Sequence, residues 1–325
     1  MRRQGAPKLA RKHRKLPSKL RRVGPKSTRA RKNPGSNAGS RTEAAVAARM
    51  DSWMDERASA LKKGLFEDGY FIMDLPNRFR VRGFSLRLLT HFVSHNAMTR
   101  YIFQKNAHQD GSCNTGDGKR KMLVRTKEVV DLASKQTYLS QNALIEDLVF
   151  FKRDLVRRAY GSETITGNTP SLLLSEPLKT GAKSSDQVLH PDGHTTAEAA
   201  TKQAADVRLD NPVSFSSLTS FQGCSLTVIK GSHLEVRKMS QDKTYTPAAT
   251  MYGETVSLKP NQAIFFTQDL IHAGDGYAVN NLRFHMYFDH VNVPREADAT
   301  NPLPKLFGTQ RAAVFQRSRP LGTVR

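Results

Sequence analysis

The spacing of apolar positions divides the chain into two textures. From Thr42 to about Lys63, Val46, Met50, Trp53, Met54 and Leu61 recur at helical spacing, behind a threonine able to cap and ahead of Gly64 as a stop. Asp68-Gly69-Tyr70-Phe71-Ile72-Met73 then reads as a turn entering a short strand. A second helix is predicted around Phe84 to Val93. A third runs from about Thr137 to Tyr160, with Leu144, Leu148, Phe151, Leu155 and Val156 on one side. Stripes of this kind are core packing. Beyond Gly167 the period shortens: Ser171 to Leu174, Gln187 to Leu189, Val213 to Thr219, Ser225 to Ile229, Glu254 to Leu258, Ala263 to Thr267 and Leu282 to Phe288 read as short strands parted by turns. Ala-rich Thr195 to Val207 interrupts them as an inserted helix or loop. Antiparallel strands so spaced suggest a sandwich or jelly roll, so the expected class is mainly β with flanking helices (α+β).

Composition narrows the class. With 325 residues and 38% hydrophobic content the chain can bury a real core, which excludes a wholly disordered protein. No apolar run approaches the roughly 18 residues that span a bilayer, and no apolar stretch follows the N-terminal charges as a secretory signal requires. Cys113 and Cys224, the only cysteines, argue against a disulfide scaffold or a cysteine-built zinc site, so an intracellular, reducing compartment is expected.

Charge changes the picture further. The formal charge is +22, yet residues 1–41 hold 15 Lys or Arg and no acid, and residues 302–325 hold five more and no acid. The body between them is nearly neutral. The N-terminal run, with Arg11-Lys12-His13-Arg14-Lys15 and scattered Pro and Gly, has no apolar period and is expected to be disordered in isolation. Such a run suits nuclear import or salt-sensitive tethering to nucleic acid, against an organelle transit peptide or a solubility tail. The expected division is a basic disordered tail (1–41), a helical N-terminal part (42–165), a β core (166–300) and a basic C-terminal tail (301–325).

The candidate chemistry lies in the second half. Gly116-Asp117-Gly118-Lys119-Arg120 fails as a phosphate loop, because Cys113 stands where the first glycine belongs and Arg120 where Ser or Thr is needed. A mobile surface loop or lid is the modest reading of residues 105–120. His-x-carboxylate pairs occur three times, at His108-x-Asp110, His190-x-Asp192 and His233-x-Glu235. Residues two apart on extended chain share a side, so an imidazole and a carboxylate there can share one metal. Order and spacing favour His190-Pro191-Asp192, followed 80 residues on by a histidine after an apolar run, His272 in Leu270-Ile271-His272-Ala273-Gly274; His108-Gln109-Asp110, with Gly111 after it but 162 residues before His272 in a Gly-rich loop, is the minor alternative. Two histidines and one carboxylate form a facial triad with three open positions. Eleven residues on, alternation in Leu282-Arg283-Phe284-His285-Met286-Tyr287-Phe288 puts Arg283, His285 and Tyr287 on one face. An inward guanidinium there suits bidentate binding of a carboxylate.

With these residues in place, positions 60–290 resemble the iron(II)/2-oxoglutarate-dependent dioxygenases, nearest the phytanoyl-CoA hydroxylase branch. The likeness lies in the order of Glu67-Asp68-Gly69-Tyr70-Phe71, His190-Pro191-Asp192-Gly193, Gly223 to His233, Leu258-Lys259-Pro260 before Ile264-Phe265-Phe266, and Ile271-His272-Ala273-Gly274 before Arg283. The resemblance implies a double-stranded β-helix (jelly-roll, cupin-like) and Fe(II) held by His190, Asp192 and His272. It also implies 2-oxoglutarate with its far carboxylate on Arg283, O2 as co-reactant, and hydroxylation as the default outcome. Three positions depart from the pattern. Lys230 replaces a proline before Gly231-Ser232-His233, Asn261-Gln262 replaces Gly-Asp, and His285 stands where a Ser or Thr often helps hold the cosubstrate. His233 is read as structural, and His194 as lying beside the ligands or simply exposed. Two other functions remain open: a jelly-roll coat or packaging protein with a basic arm and no metal, and a pseudoenzyme keeping the fold as a binding module.

Overall fold

A computed structural model describes residues 37–76, 79, 108–109, 120–124, 139–161, 165–175, 178, 180–192, 214–279, 281–290 and 302–318. The predicted helix at 84–93, the inserted helix or loop at 195–207, residues 116–119 of the rejected phosphate loop, His194 and residues 1–36 of the tail lie outside these residues. The chain divides into two units, Met1–Ala47 and Ala48–Arg325. The second unit carries the site.

Helix α1 spans Asn37–Glu67 and helix α2 Leu139–Tyr160. The first passes through Gly64 rather than ending there. A Cβ on Gly64 would lie 2.9 Å from the Tyr70 carbonyl oxygen and 3.1 Å from Phe71 Cβ, so the glycine admits the returning strand. Met50, expected on the apolar face, is 43% exposed, and the buried stripe runs through Met54, Ala58, Leu61 and Leu65. On α2 the buried apolar residues among those described are Leu148, Phe151, Leu155 and Val156, as the spacing predicts, and Lys152 is buried beside them. Arg158 joins the two helices, 2.8 Å from both Asp51 and Asp55.

The strands are β1 (Tyr70–Asp74), β2 (His108–Gln109), β3 (Arg120–Val124), β4 (Ile165–Ser175), β5 (Ser214–Ser220), β6 (Cys224–Val228), β7 (Met251–Tyr252), β8 (Glu254–Leu258), β9 (Gln262–Thr267), β10 (His272–Gly274), β11 (Asn281–His290) and β12 (Phe315–Gln316). Seven form one antiparallel sheet in the order β1-β9-β5-β11-β4-β3-β2; β10-β6-β8 form a second. Two-residue alternation sorts the side chains of the large sheet into two cores. Phe215, Ala263, Phe265, Leu282, Phe284, Met286 and Phe288 pack with the helices. Leu218, Ile264 and Phe266 turn the other way, onto Leu226, Val228, Val256 and Leu258 of the small sheet. The result is mainly antiparallel sheets with α1 and α2 covering one face of the large sheet, the mainly β class with flanking helices that the sequence predicts.

The turn between β8 and β9 shows why Asn261 can stand where glycine is customary. Its φ is 66°, in the left-handed region that Asn tolerates better than other side-chain-bearing residues. Two expectations need correcting. Gln187 to Leu189 is not a strand of its own; it is extended chain alongside β10, joined to it by a bridge between His190 and His272. The C-terminal stretch is not a free tail as far as Gln316. Helix α3 (Ser232–Gln241) is followed by α4 (Leu303–Phe307), α5 (Thr309–Ala312) and β12, and Leu303, Ala312 and Phe315 are buried against Val236, Met239 and Ile271. Arg311 takes part in this docking, donating to the carbonyls of Met239 and Tyr245.

Candidate metal centre

The segment 184–190 runs antiparallel to 271–277. Ser184 N donates to Tyr277 O, Gln187 N to Gly274 O, and the Gln187 side chain accepts from Gly274 N at 2.9 Å. At its end His190 and His272 exchange both backbone hydrogen bonds, at 3.0 and 2.9 Å. Directly opposed residues of an antiparallel pair present their side chains on one face. The two imidazoles therefore stand side by side, ring centroids 4.5 Å apart. Asp192, two residues beyond His190, joins them.

One ligand atom from each of His190, Asp192 and His272 falls within 4.8 Å of the others. His272 Nε2 is 3.5 Å from Asp192 Oδ1. Two ligands at right angles on one ion, each about 2.1 Å away, would stand about 3 Å apart, so little movement is needed to close on a metal. All three residues are at most 9% exposed.

Backbone carbonyls fix the tautomers. His190 Nδ1 lies 2.8 Å from Val188 O and His272 Nδ1 3.0 Å from Leu270 O. A carbonyl only accepts, so each Nδ1 bears the proton and each Nε2 keeps its lone pair for the site. Neutral imidazole nitrogens with one carboxylate oxygen are the donor set of non-haem ferrous centres, so the residues fit that ion.

The large sheet supplies the opposite wall. Ser216 on β5 donates to Asp192 Oδ2 at 2.6 Å, and His285 Nε2 on β11 lies 3.9 Å from the same oxygen. His285 meets Tyr287 edge-on, centroids 4.4 Å apart, and stands outside the three-residue cluster. One pleat away, about 7 Å along the strand, Arg283 turns to the same face. It is 3% exposed, and its guanidinium stacks on Tyr277 at 5.2 Å and donates to Ser175 Oγ. Its Nε has no partner, and among the described residues no carboxylate stands within ion-pair distance of it. A buried cation in that state calls for an anion.

The other His-x-carboxylate pairs are elsewhere. His108 lies on β2, at the edge of the large sheet, and Asp110 outside the described residues. His233 starts α3, with Nε2 3.0 Å from Phe66 O and its ring against Gly69, where a Cβ would come within 2.6 Å of Nδ1. Glu235 pairs with Lys238 and Tyr245. Sequence reasoning passed over Ser216, Ser175, Tyr277 and Arg317. Arg317 contacts Gln187 O, Asp186 and Asp275 and so grips the segment leading to His190. The only sequence signal for Ser216 is its inward parity in β5.

No protein-family model matches the sequence, and no curated protein matches it. Solved structures to which the chain is similar include the epimerase SnoN in complex with Fe3+, alpha ketoglutarate and nogalamycin RO. It is 14% identical, with 82% of this chain and 91% of that chain covered and a TM-score of 0.48. A prolyl hydroxylase from Trichoplax adhaerens, in complex with a hypoxia inducible factor peptide fragment, is 11% identical over 74% of this chain and 92% of that one, TM-score 0.44. A Pseudomonas putida prolyl-4-hydroxylase is 10% identical over 71% and 98%, TM-score 0.41.

Proposed function

We propose that the protein is an Fe(II)- and 2-oxoglutarate-dependent oxygenase that hydroxylates its substrate, built on a double-stranded β-helix and nearest the phytanoyl-CoA hydroxylase branch. The observation that carries this is the buried His190, Asp192 and His272 cluster with both histidines held as the Nδ1–H tautomer. His190, Asp192 and His272 would hold the iron. Arg283 would pair with the far carboxylate of the cosubstrate, with Ser175 and Tyr277 keeping its guanidinium in place. His285, on the same face, would line the cosubstrate pocket. Bound iron and cosubstrate would supply the activation of O2 and the transfer of one oxygen atom to substrate. The chain's own part is to fix three ligand atoms, neutralise the cosubstrate and keep water out of a site walled by two sheets. A basic-armed packaging protein has no use for these fixed tautomers or for a buried, unpaired Arg283.

Anaerobic titration with Fe(II) and then 2-oxoglutarate tests the reading. A visible metal-to-ligand charge-transfer band is expected, abolished in Asp192→Ala and weakened in Arg283→Ala. A folded protein that gives no band refutes it, or leaves a pseudoenzyme if iron alone binds.

We also propose that residues 1–41 direct the protein to the nucleus or tether it to nucleic acid, a reading supported by their 15 basic and no acidic residues. Filter binding to duplex DNA at increasing salt tests the tether. Removing residues 1–41 is expected to abolish a steep salt dependence, and unchanged binding would refute that use.

A further inference from the structure

We propose that Ser216 is the positioning residue that makes Asp192 a one-oxygen ligand, an inference resting on the metal-centre reading above. The two oxygens of Asp192 face different elements. Oδ1 turns to His272 on the small sheet at 3.5 Å. Oδ2 turns to the large sheet, where the Ser216 hydroxyl lies 2.6 Å away and His285 Nε2 3.9 Å away.

A hydroxyl donating to a carboxylate at 2.6 Å is a short, charge-assisted bond. Ser216 is fully buried, and its neighbours Phe215 and Ser217 turn to the helix-facing side of β5, so the hydroxyl has no solvent to compete for it. β5 itself is fixed between β9 and β11. The bond therefore anchors the Asp192 carboxylate to an interior strand of the large sheet. With Oδ2 held there, an ion would meet Oδ1 alone. Two nitrogens and one oxygen would then leave room on it for a keto acid and O2 together. A carboxylate free to turn could offer both oxygens and would take up part of that room.

Partners that orient metal ligands typically contribute about 10- to 100-fold in metal affinity. The test uses the full chain and Co(II) alone as an anaerobic probe, reading both the dissociation constant and the d–d absorption, which responds to coordination number. Ser216→Ala is expected to weaken binding by about 10- to 100-fold and to change the d–d bands. Ser216→Thr, which keeps the hydroxyl, restores both. Ser217→Ala, truncating the adjacent buried serine on the opposite face, changes neither. If Ser216→Ala does not fold, Ser216→Cys, similar in size with a weak donor, replaces it under the same criteria. Binding and spectrum in Ser216→Ala equal to the parent protein's would overturn the inference while leaving the metal centre intact. So would Ser216→Thr as impaired as Ser216→Ala, or Ser217→Ala as impaired as either. A parent protein that binds no Co(II) or Fe(II) overturns both the centre and the inference.

Discussion

Gly276→Ala should be among the most damaging single-methyl additions in the second unit. Gly276 is not a glycine of conformation, because its φ lies outside the left-handed region. It is a glycine of space. A Cβ there would sit 1.7 Å from the Ser184 carbonyl oxygen, 2.5 Å from Ser184 C and 3.0 Å from Ser185 O. All three are backbone atoms, so no rotamer change relieves the clash. Segment 184–186 must retreat by more than about 1 Å to reach even a tight carbon–oxygen contact. Three hydrogen bonds depend on its present place: Ser184 N to Tyr277 O at 3.0 Å, Tyr277 N to Ser184 Oγ at 2.9 Å, and Gly276 N to Asp186 Oδ1 at 2.7 Å. At about 1 kcal/mol net for each, the loss comes to about 3 kcal/mol. Urea unfolding followed by circular dichroism should show the midpoint falling by about 1 M or more. Gly181→Ala is the control. Gly181 has φ 79° with nothing within 4 Å of a built Cβ, so it should lose only the left-handed penalty of about 1 kcal/mol. A Gly276→Ala protein destabilised by less than Gly181→Ala would refute the reasoning.

Two buried bases should set the pH dependence of stability. Lys152 is fully buried over Phe284 and Phe265, its Nζ has no hydrogen-bond partner among the described residues, and burial holds it well below the ordinary lysine range. The unfolded chain therefore takes up a proton that the folded one resists, and stability should rise with pH up to about 10, by at most ~1.4 kcal/mol per unit. Lys152→Met should remove that slope and raise stability at pH 7 by about 1–3 kcal/mol; a less stable Lys152→Met protein would contradict this. His233 is likewise held below its ordinary value, chiefly by burial with Arg237 adding to the effect, against the Phe66 carbonyl. Stability should fall further as pH drops below about 6.5, and thermal melts of His233→Gln should lack this acid-side loss.

The His190 and Asp192 pair was legible because its geometry is local, and His272 only through its place after an apolar run. Two residues on extended chain share a side, and β11 alternates as read, with Leu282, Phe284, Met286 and Phe288 facing the helices. What stayed hidden depends on partners remote in sequence. The basic residues after Pro302 count as a tail until Arg311 is seen on carbonyls at the end of α3 and Arg317 on Asp186 and Asp275, more than 40 residues away. Helix α3 shows only Val236 and Met239 as a buried apolar stripe, too short a run to declare a helix. Gln187 to Leu189 has strand texture yet makes only a partial ladder, because one of its bonds to Gly274 comes from the Gln187 side chain. Ser216 is one of four serines in β5, and nothing in the order of residues says which one meets Asp192.

The reciprocal hydrogen bonds between His190 and His272 have a consequence for how the site would load. These residues are 82 positions apart, and bringing such distant points together is an entropic cost that a metal must bear when it folds its own site. Here the backbone has already met it. The metal would arrive at a formed cradle, so its release should leave the secondary structure and the slowest-exchanging amides of both histidines unchanged. Its stabilising effect should be that of simple ligand linkage, about 2.7 kcal/mol at a hundredfold excess over Kd. Iron could then come and go on the timescale of ligand exchange rather than of folding.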